Sequence, residues 1–210
     1  MQLREKTGIP MEKKINTIIQ KYADNEILLD KLVVSSCCQF YNIEIGASYL
    51  AAFTPEEQDQ LTDDIAFLAK VCDMESVINI FELAIPQDEK TANGAVYTPK
   101  YIRDYIVNQV YKEEIKEVAN CLCADIACGC GAVLYALAVY VHQHAQMPFS
   151  VIYHHLYGID VSRTSIGRAK ILLALLAKIN HEDVKVDDFR LFCGDTLTFD
   201  LKNMQEVKDN

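Results

Sequence analysis

The sequence predicts an α/β domain in which three parallel strands alternate with helices, set behind an all-helical N-terminal segment. Three observations carry that expectation. A glycine-paired loop, Asp125-Ile-Ala-Cys-Gly-Cys-Gly131, follows an apolar run (Val118 to Ala124) and precedes a helical pattern of Val133, Leu134, Leu137, Ala138 and Val141. Beyond residue 94 the rhythm is strand, helix, strand, helix, strand, which implies right-handed crossovers and a parallel sheet. Residues 1–90 instead repeat their apolar positions at helical spacing.

In chain order, Ile15, Ile18, Ile19 and Tyr22 mark one helix, and Ile27, Leu28, Leu32 and Val33 a second. Thr54-Pro-Glu-Glu57 opens a third. Thr54 is placed to cap, Pro55 fits the first turn, and Glu57 can close a capping box. Its inward positions are Leu61, Ile65, Leu68 and Ala69, and a fourth helix covers Glu75 to Ala84. The polar stretch Pro86 to Gly94 reads as a linker, which divides the chain into a helical segment (1–90) and an α/β domain (91–210). Thr98-Pro99 starts a helix through Ile102, Tyr105, Ile106 and Val110. Strand one is expected over Leu122 to Ala127 with its helix from Ala132. Strand two covers His155 to Val161 with a helix from Arg163 to Ile179, and strand three covers Phe189 to Cys193.

Composition narrows the function classes. Half of the 210 residues are hydrophobic, enough for a substantial core, yet no apolar run is long enough to span a bilayer. The N-terminus lacks the basic-then-apolar signature of a signal peptide, so a cytoplasmic protein with reduced thiols is expected, despite eight cysteines. The net charge of −10 is uneven. Residues 1–90 carry 8 basic and 16 acidic side chains, and residues 91–210 carry 12 and 14. Neither half offers a basic stripe, so a phosphate-binding surface is either local or on another chain.

The candidate site lies at the carboxyl ends of the strands. Gly129 and Gly131 remove side chains where the backbone turns sharply and a ligand approaches closely. The third glycine of a dinucleotide fingerprint is replaced by Leu134, which disfavours NAD or FAD and favours a single nucleoside cofactor. Asp160 ends strand two, where a carboxylate can accept from both ribose hydroxyls; its bland alternative is a helix cap. Asp195 follows strand three, where a carboxylate can accept from an exocyclic amine; its alternative is a Gly-Asp turn. Asn93 to Pro99 leads into a helix N-terminus suited to an anion, or is simply capped by Thr98. Cys121, Cys123, Cys128 and Cys130 have the wrong spacing for zinc and are expected as buried small hydrophobes, with no metal site. His142, His144, His154 and His155 read as a loop-end cluster.

Taken in order, Gly94-Ala-Val-Tyr-Thr-Pro99, Asp125 to Gly131, Gly158-Ile-Asp160 and Gly194-Asp195 resemble the adenine-specific N6 DNA methyltransferases of restriction–modification systems. The likeness is to the modification subunits of type I systems and to related type II enzymes, over roughly residues 90–200. The resemblance implies a Rossmann-like methyltransferase fold and S-adenosylmethionine as cofactor. By position it implies Tyr97, Thr98 and Pro99 near the methionine portion, and Asp125, Cys128, Gly129 and Gly131 in the loop around it. It further implies Asp160 on the ribose hydroxyls and Asp195 on the adenine amine. Two positions depart from the family pattern: Ile126 stands for the usual proline and Cys130 for the usual serine. The catalytic Asn/Asp-Pro-Pro-aromatic motif, which would hold a flipped adenine, is absent, since the five prolines include no adjacent pair.

The expectation is therefore the cofactor-binding portion of a DNA adenine methyltransferase, catalytically incomplete and truncated before a fourth strand. Strand one would then be an open apolar edge, covered by a protein partner or by self-association. DNA would be engaged through other regions or partner subunits. Two alternatives stand beside this. One is a non-catalytic methyltransferase-like subunit pairing with a catalytic or specificity chain; the other is a methyltransferase acting on RNA or on protein glutamine.

Overall fold

The structure, a computed structural model, describes residues 11–86, 91, 97–111 and 121–199. The chain divides into two compact units, residues 1–94 and 95–210.

The first unit contains α1 (Met11–Lys21), α2 (Glu26–Tyr41), α3 (Pro55–Leu68) and α4 (Met74–Leu83). Helix α2 packs against both α3 and α4, and Leu28, Leu29, Leu32, Val33, Val34 and Cys37 are all buried. A helix apolar around most of its circumference has to be enclosed by neighbours. Ile27, grouped with that stripe from its spacing, is instead 67% exposed. It lies two residues from Leu29 and so nearly opposite it around the helix. The expected capping box is present: the Glu57 N–H donates to Thr54 Oγ1 (3.2 Å), and the Thr54 N–H donates to Glu57 Oε2 (2.9 Å). The same Glu57 oxygen receives the buried Lys31 ammonium at 2.6 Å, which joins α2 to the start of α3.

The second unit contains α5 (Lys100–Tyr111), β1 (Cys123–Asp125), α6 (Ala132–Ala145), α7 (Phe149–Ile152), β2 (Leu156–Asp160), α8 (Arg163–Ile179) and β3 (Arg190–Cys193). The three strands form a parallel sheet in the order β1-β2-β3, with Asp125 opposite Gly158 and Asp160 opposite Cys193. Right-handed crossovers between neighbouring strands put α6 and α8 on one face. Packing there is close. A Cβ at Gly158 would lie 2.7 Å from Leu191 Cδ2, 2.9 Å from Cys128 Sγ and 3.0 Å from Leu134 Cδ1. On the other face Tyr157 and Ile159 are buried with Phe192 and Phe199, and Arg190 donates to the Tyr157 hydroxyl.

Three expectations are corrected. Strand β1 is shorter than Leu122 to Ala127, because the Asp125 carboxylate accepts the Ala127 N–H (3.2 Å) and turns the chain out of the ladder. Cys121 is exposed and Cys123 half-buried, not buried as expected, since β1 is an edge strand among the described residues. Helix α5 forms, but Tyr105 (64%) and Val110 (57%) face outward, while Arg103 and Val107, one turn apart, take the buried side. An arginine stem is apolar enough to line such a face.

Candidate functional site

Three strand tips and the loops leaving them build the site. After Asp125 the backbone crosses toward the tip of β2 and enters α6 through Gly129 (φ 51°) and Gly131 (φ 84°). Both values lie in the left-handed region that side chains disfavour. At Gly131 space is lacking as well, because a Cβ there would sit 2.9 Å from the Cβ of Ala169 on α8. At Gly129 the nearest neighbour is Tyr97, whose ring carbon is 3.6 Å from where a Cβ would be. The Tyr97-Thr-Pro99 segment and the glycine loop are therefore brought together from positions about thirty residues apart. Pro99 closes the start of α5, its carbonyl accepting the N–H groups of Ile102 (2.9 Å) and Arg103 (3.0 Å). Gly94, Ala95 and Val96 of the same motif lie outside the described residues.

Asp160 joins the loop to the sheet. One carboxylate oxygen accepts the Gly129 N–H (2.9 Å) and the other accepts the Ser162 N–H (2.9 Å). Its backbone carbonyl accepts from Gly194 (2.9 Å), and the Ile159 carbonyl accepts from Cys128 (3.0 Å). The cap before α8 comes from Ser162, whose hydroxyl accepts the Ser165 N–H, so Asp160 is not itself the capping residue. Each Asp160 oxygen keeps a second lone pair beyond these bonds. Asp125 lies on the neighbouring tip. Burial pushes its carboxyl above the usual range, the Asp160 charge pushes it further, and the Ala127 N–H opposes both. Burial likewise pushes the Cys128 thiol far up, with Asp125 and Asp160 adding to the effect. Cys128 contributes its backbone to the loop, while its sulfur packs over Gly158.

Asp195 is exposed and forms the turn weighed against a binding role, accepting the Leu197 N–H at 3.0 Å. His142 and His144 stand apart from the site, at the far end of α6. Each ring bonds a backbone carbonyl, and each stacks on an aromatic ring, Phe149 and Tyr140 respectively. Sequence reasoning missed Thr196, whose hydroxyl donates to the Ile126 carbonyl at the entry to the glycine loop. No local pattern announces a bond that spans 70 residues. It also missed Arg168, fully buried beside Ala169.

A family model described as N-6 DNA Methylase matches residues 75–210. No curated protein matches the chain. No solved structure matches it either.

Proposed function

The chain belongs to the N-6 DNA methylase family, whose model spans well over half of it, and on that premise we propose that residues 91–210 form the S-adenosylmethionine-binding portion of a DNA adenine N6-methyltransferase of a restriction–modification system. The observation that carries this reading is the glycine loop tied to Asp160 across two strand tips, with Tyr97 against Gly129.

The residues suit the cofactor. Gly129 leaves bare backbone beside the Tyr97 ring, where a nucleoside can approach closely, while Gly131 lets α8 pack tightly behind the loop. Asp160 retains lone pairs for ribose hydroxyls, and Asp195 is exposed beyond β3 for an exocyclic amine. Tyr97 lies against the loop at Gly129, and with Thr98 and Pro99, which follow it into α5, it is the segment we propose for the methionine portion. Asp125 and Asp160 repel one another, and a cationic ligand relieves such a pair. When bound, S-adenosylmethionine supplies an electrophilic methyl group on a sulfonium centre. The chain's own residues orient it and shield it from water. These 210 residues contain no Pro-Pro pair, so no residue here is assigned to hold the flipped adenine. DNA is the substrate class, engaged through surfaces other than this acidic one. No helix among the described residues is long and apolar enough to cross a membrane, and a cytoplasmic location accords with the proposed reaction.

Calorimetric titration with S-adenosylhomocysteine tests the reading. Binding by the full chain that Asp160→Ala abolishes supports it; absence of binding by the folded chain overturns it.

A second reading, a methyltransferase-like subunit that pairs with another chain, is favoured by the β1 edge. Leu122 and Ile126 flank this strand and are 59% and 56% exposed. The partner suited to such an edge is a protein supplying a further β-strand, because a strand satisfies a row of backbone donors and acceptors. Light scattering that finds only monomer, alone and with the chains encoded beside it, would count against this reading.

A further inference from the structure

We infer that Thr196 is a positioning residue for the cofactor loop: its hydroxyl closes a clasp over the tip of β2 that holds the loop's entry in place. The inference rests on the proposed cofactor site only for its effect on affinity; the clasp itself stands on the geometry.

Past Asp125 the chain leaves the β1–β2 ladder, and its polar backbone groups need new partners. Three successive N–H groups are taken from close at hand. Ala127 donates to the Asp125 carboxylate (3.2 Å), Cys128 to the Ile159 carbonyl (3.0 Å) and Gly129 to the Asp160 carboxylate (2.9 Å). The Ile126 carbonyl, where the loop begins, is taken by Thr196. That hydroxyl comes from the loop after β3, so the bond joins the two outer strand tips across the central one.

Thr196 is itself well held. Asp195 folds its own loop into a turn, accepting the Leu197 N–H on its side chain (3.0 Å) and the Thr198 N–H on its carbonyl (3.0 Å). The ring of Phe199 lies where a Cβ at Gly194 would be, at 2.6 Å, so this loop is packed down upon the sheet. The Gly194 N–H is bonded to the Asp160 carbonyl (2.9 Å). Asp160 thus grips the glycine loop at Gly129 with its side chain and the β3 loop at Gly194 with its backbone. Thr196 joins those two loops directly. A loop fixed at both Ile126 and Gly129 meets its ligand without the ordering cost that weakens binding.

Thr196→Val removes the hydroxyl at nearly constant shape, and Thr196→Ser keeps it. Amide hydrogen exchange on the full chain without ligand is the first readout. The expected result is exchange at Ala127, Cys128 and Gly129 roughly fivefold faster in Thr196→Val, the scale of one hydrogen bond. Amides within α8 should not change, and Thr196→Ser should behave as the parent. Unchanged loop exchange overturns the inference, and so does uniform acceleration across the unit, which would mark Thr196 as a general stabiliser. Titration with S-adenosylhomocysteine is the second readout, with affinity expected to fall by a similar factor in Thr196→Val and to return in Thr196→Ser. Equal affinity in a chain whose loop has loosened overturns the positioning role. Failure of the parent chain to bind overturns the cofactor reading instead, and the exchange result still decides the clasp.

Discussion

In the helical unit the buried Lys31 ammonium meets Glu57 at 2.6 Å and the Ala52 carbonyl at 3.1 Å, so opposite charges neutralise one another in contact. In the α/β unit Asp125 and Asp160 bring two carboxylates to neighbouring strand tips, where burial and then the Asp160 charge make Asp125 harder to ionise. The first arrangement satisfies its groups within the unit and pulls Glu57 below the usual carboxylate range, chiefly through Lys31. The second sets like charges on neighbouring strand tips, and their hydrogen-bond donors among the described residues are backbone N–H groups. Charge in the first unit serves the fold. In the second the ionised Asp125 is held at a cost to the fold, which accords with the cofactor site proposed there.

The strongest way to break the contrast is to destroy the loop that carries the second arrangement. Gly131→Ala combines a left-handed backbone with a Cβ 2.9 Å from Ala169, and about 3 kcal/mol of destabilisation is expected. Denaturant unfolding followed by hydrogen exchange should show the loss in residues 121–199 and leave α1 to α4 unchanged. Next in size is Lys31→Ala, expected to cost about 2 kcal/mol by removing a buried stem, with Lys31→Met recovering part of that. Gly129→Ala meets only the Tyr97 ring at 3.6 Å, so it carries the backbone penalty alone, about 1 kcal/mol.

The smallest effects are also the sharpest, because they differ in sign between the units. The native state holds a proton on Asp125 more tightly than the unfolded chain does. Its ionisation therefore costs stability as pH rises above the ordinary aspartate value of about 3.9. Asp125→Asn should raise the Tm at pH 7, and the gain should vanish as pH falls below that value. Glu57 is shifted the opposite way, so its stabilisation is present above the ordinary glutamate value and is lost as pH falls through its lower folded value. Glu57→Gln should lower the Tm at pH 7, with the loss vanishing in acid. Thermal melts of both variants from pH 3 to pH 7 check the pair, and two curves of the same sign would dissolve the contrast.

Much of the framework was legible because it is locally encoded. Thr54-Pro-Glu-Glu57 contains every atom of its capping box within four residues. Helix α8 has the bounds that its spacing predicts, Arg163 to Ile179, and the strands come in the expected parallel order. The glycines of the loop announce left-handed backbone by being glycine, and both adopt it. Orientation was less legible. Ile102, Tyr105, Ile106 and Val110 share an apolar stripe, yet Arg103 and Val107 are the buried side of α5. Apolar residues alone do not say which face of a helix meets a neighbour, because an arginine stem and a valine fill such a space equally well.

By itself the sequence determined the alternation of elements, the turn residues and the positions of Asp160 and Asp195 at strand ends, since each depends on neighbours within a few residues. Only the tertiary structure decided what those residues do to one another. That Asp160 grips the Gly129 N–H, that Tyr97 lies against Gly129, and that Thr196 reaches the Ile126 carbonyl are all contacts between distant segments. The physical reason is the parallel sheet: its crossovers bring the carboxyl ends of successive strands side by side, so that groups far apart in the chain become hydrogen-bonding neighbours.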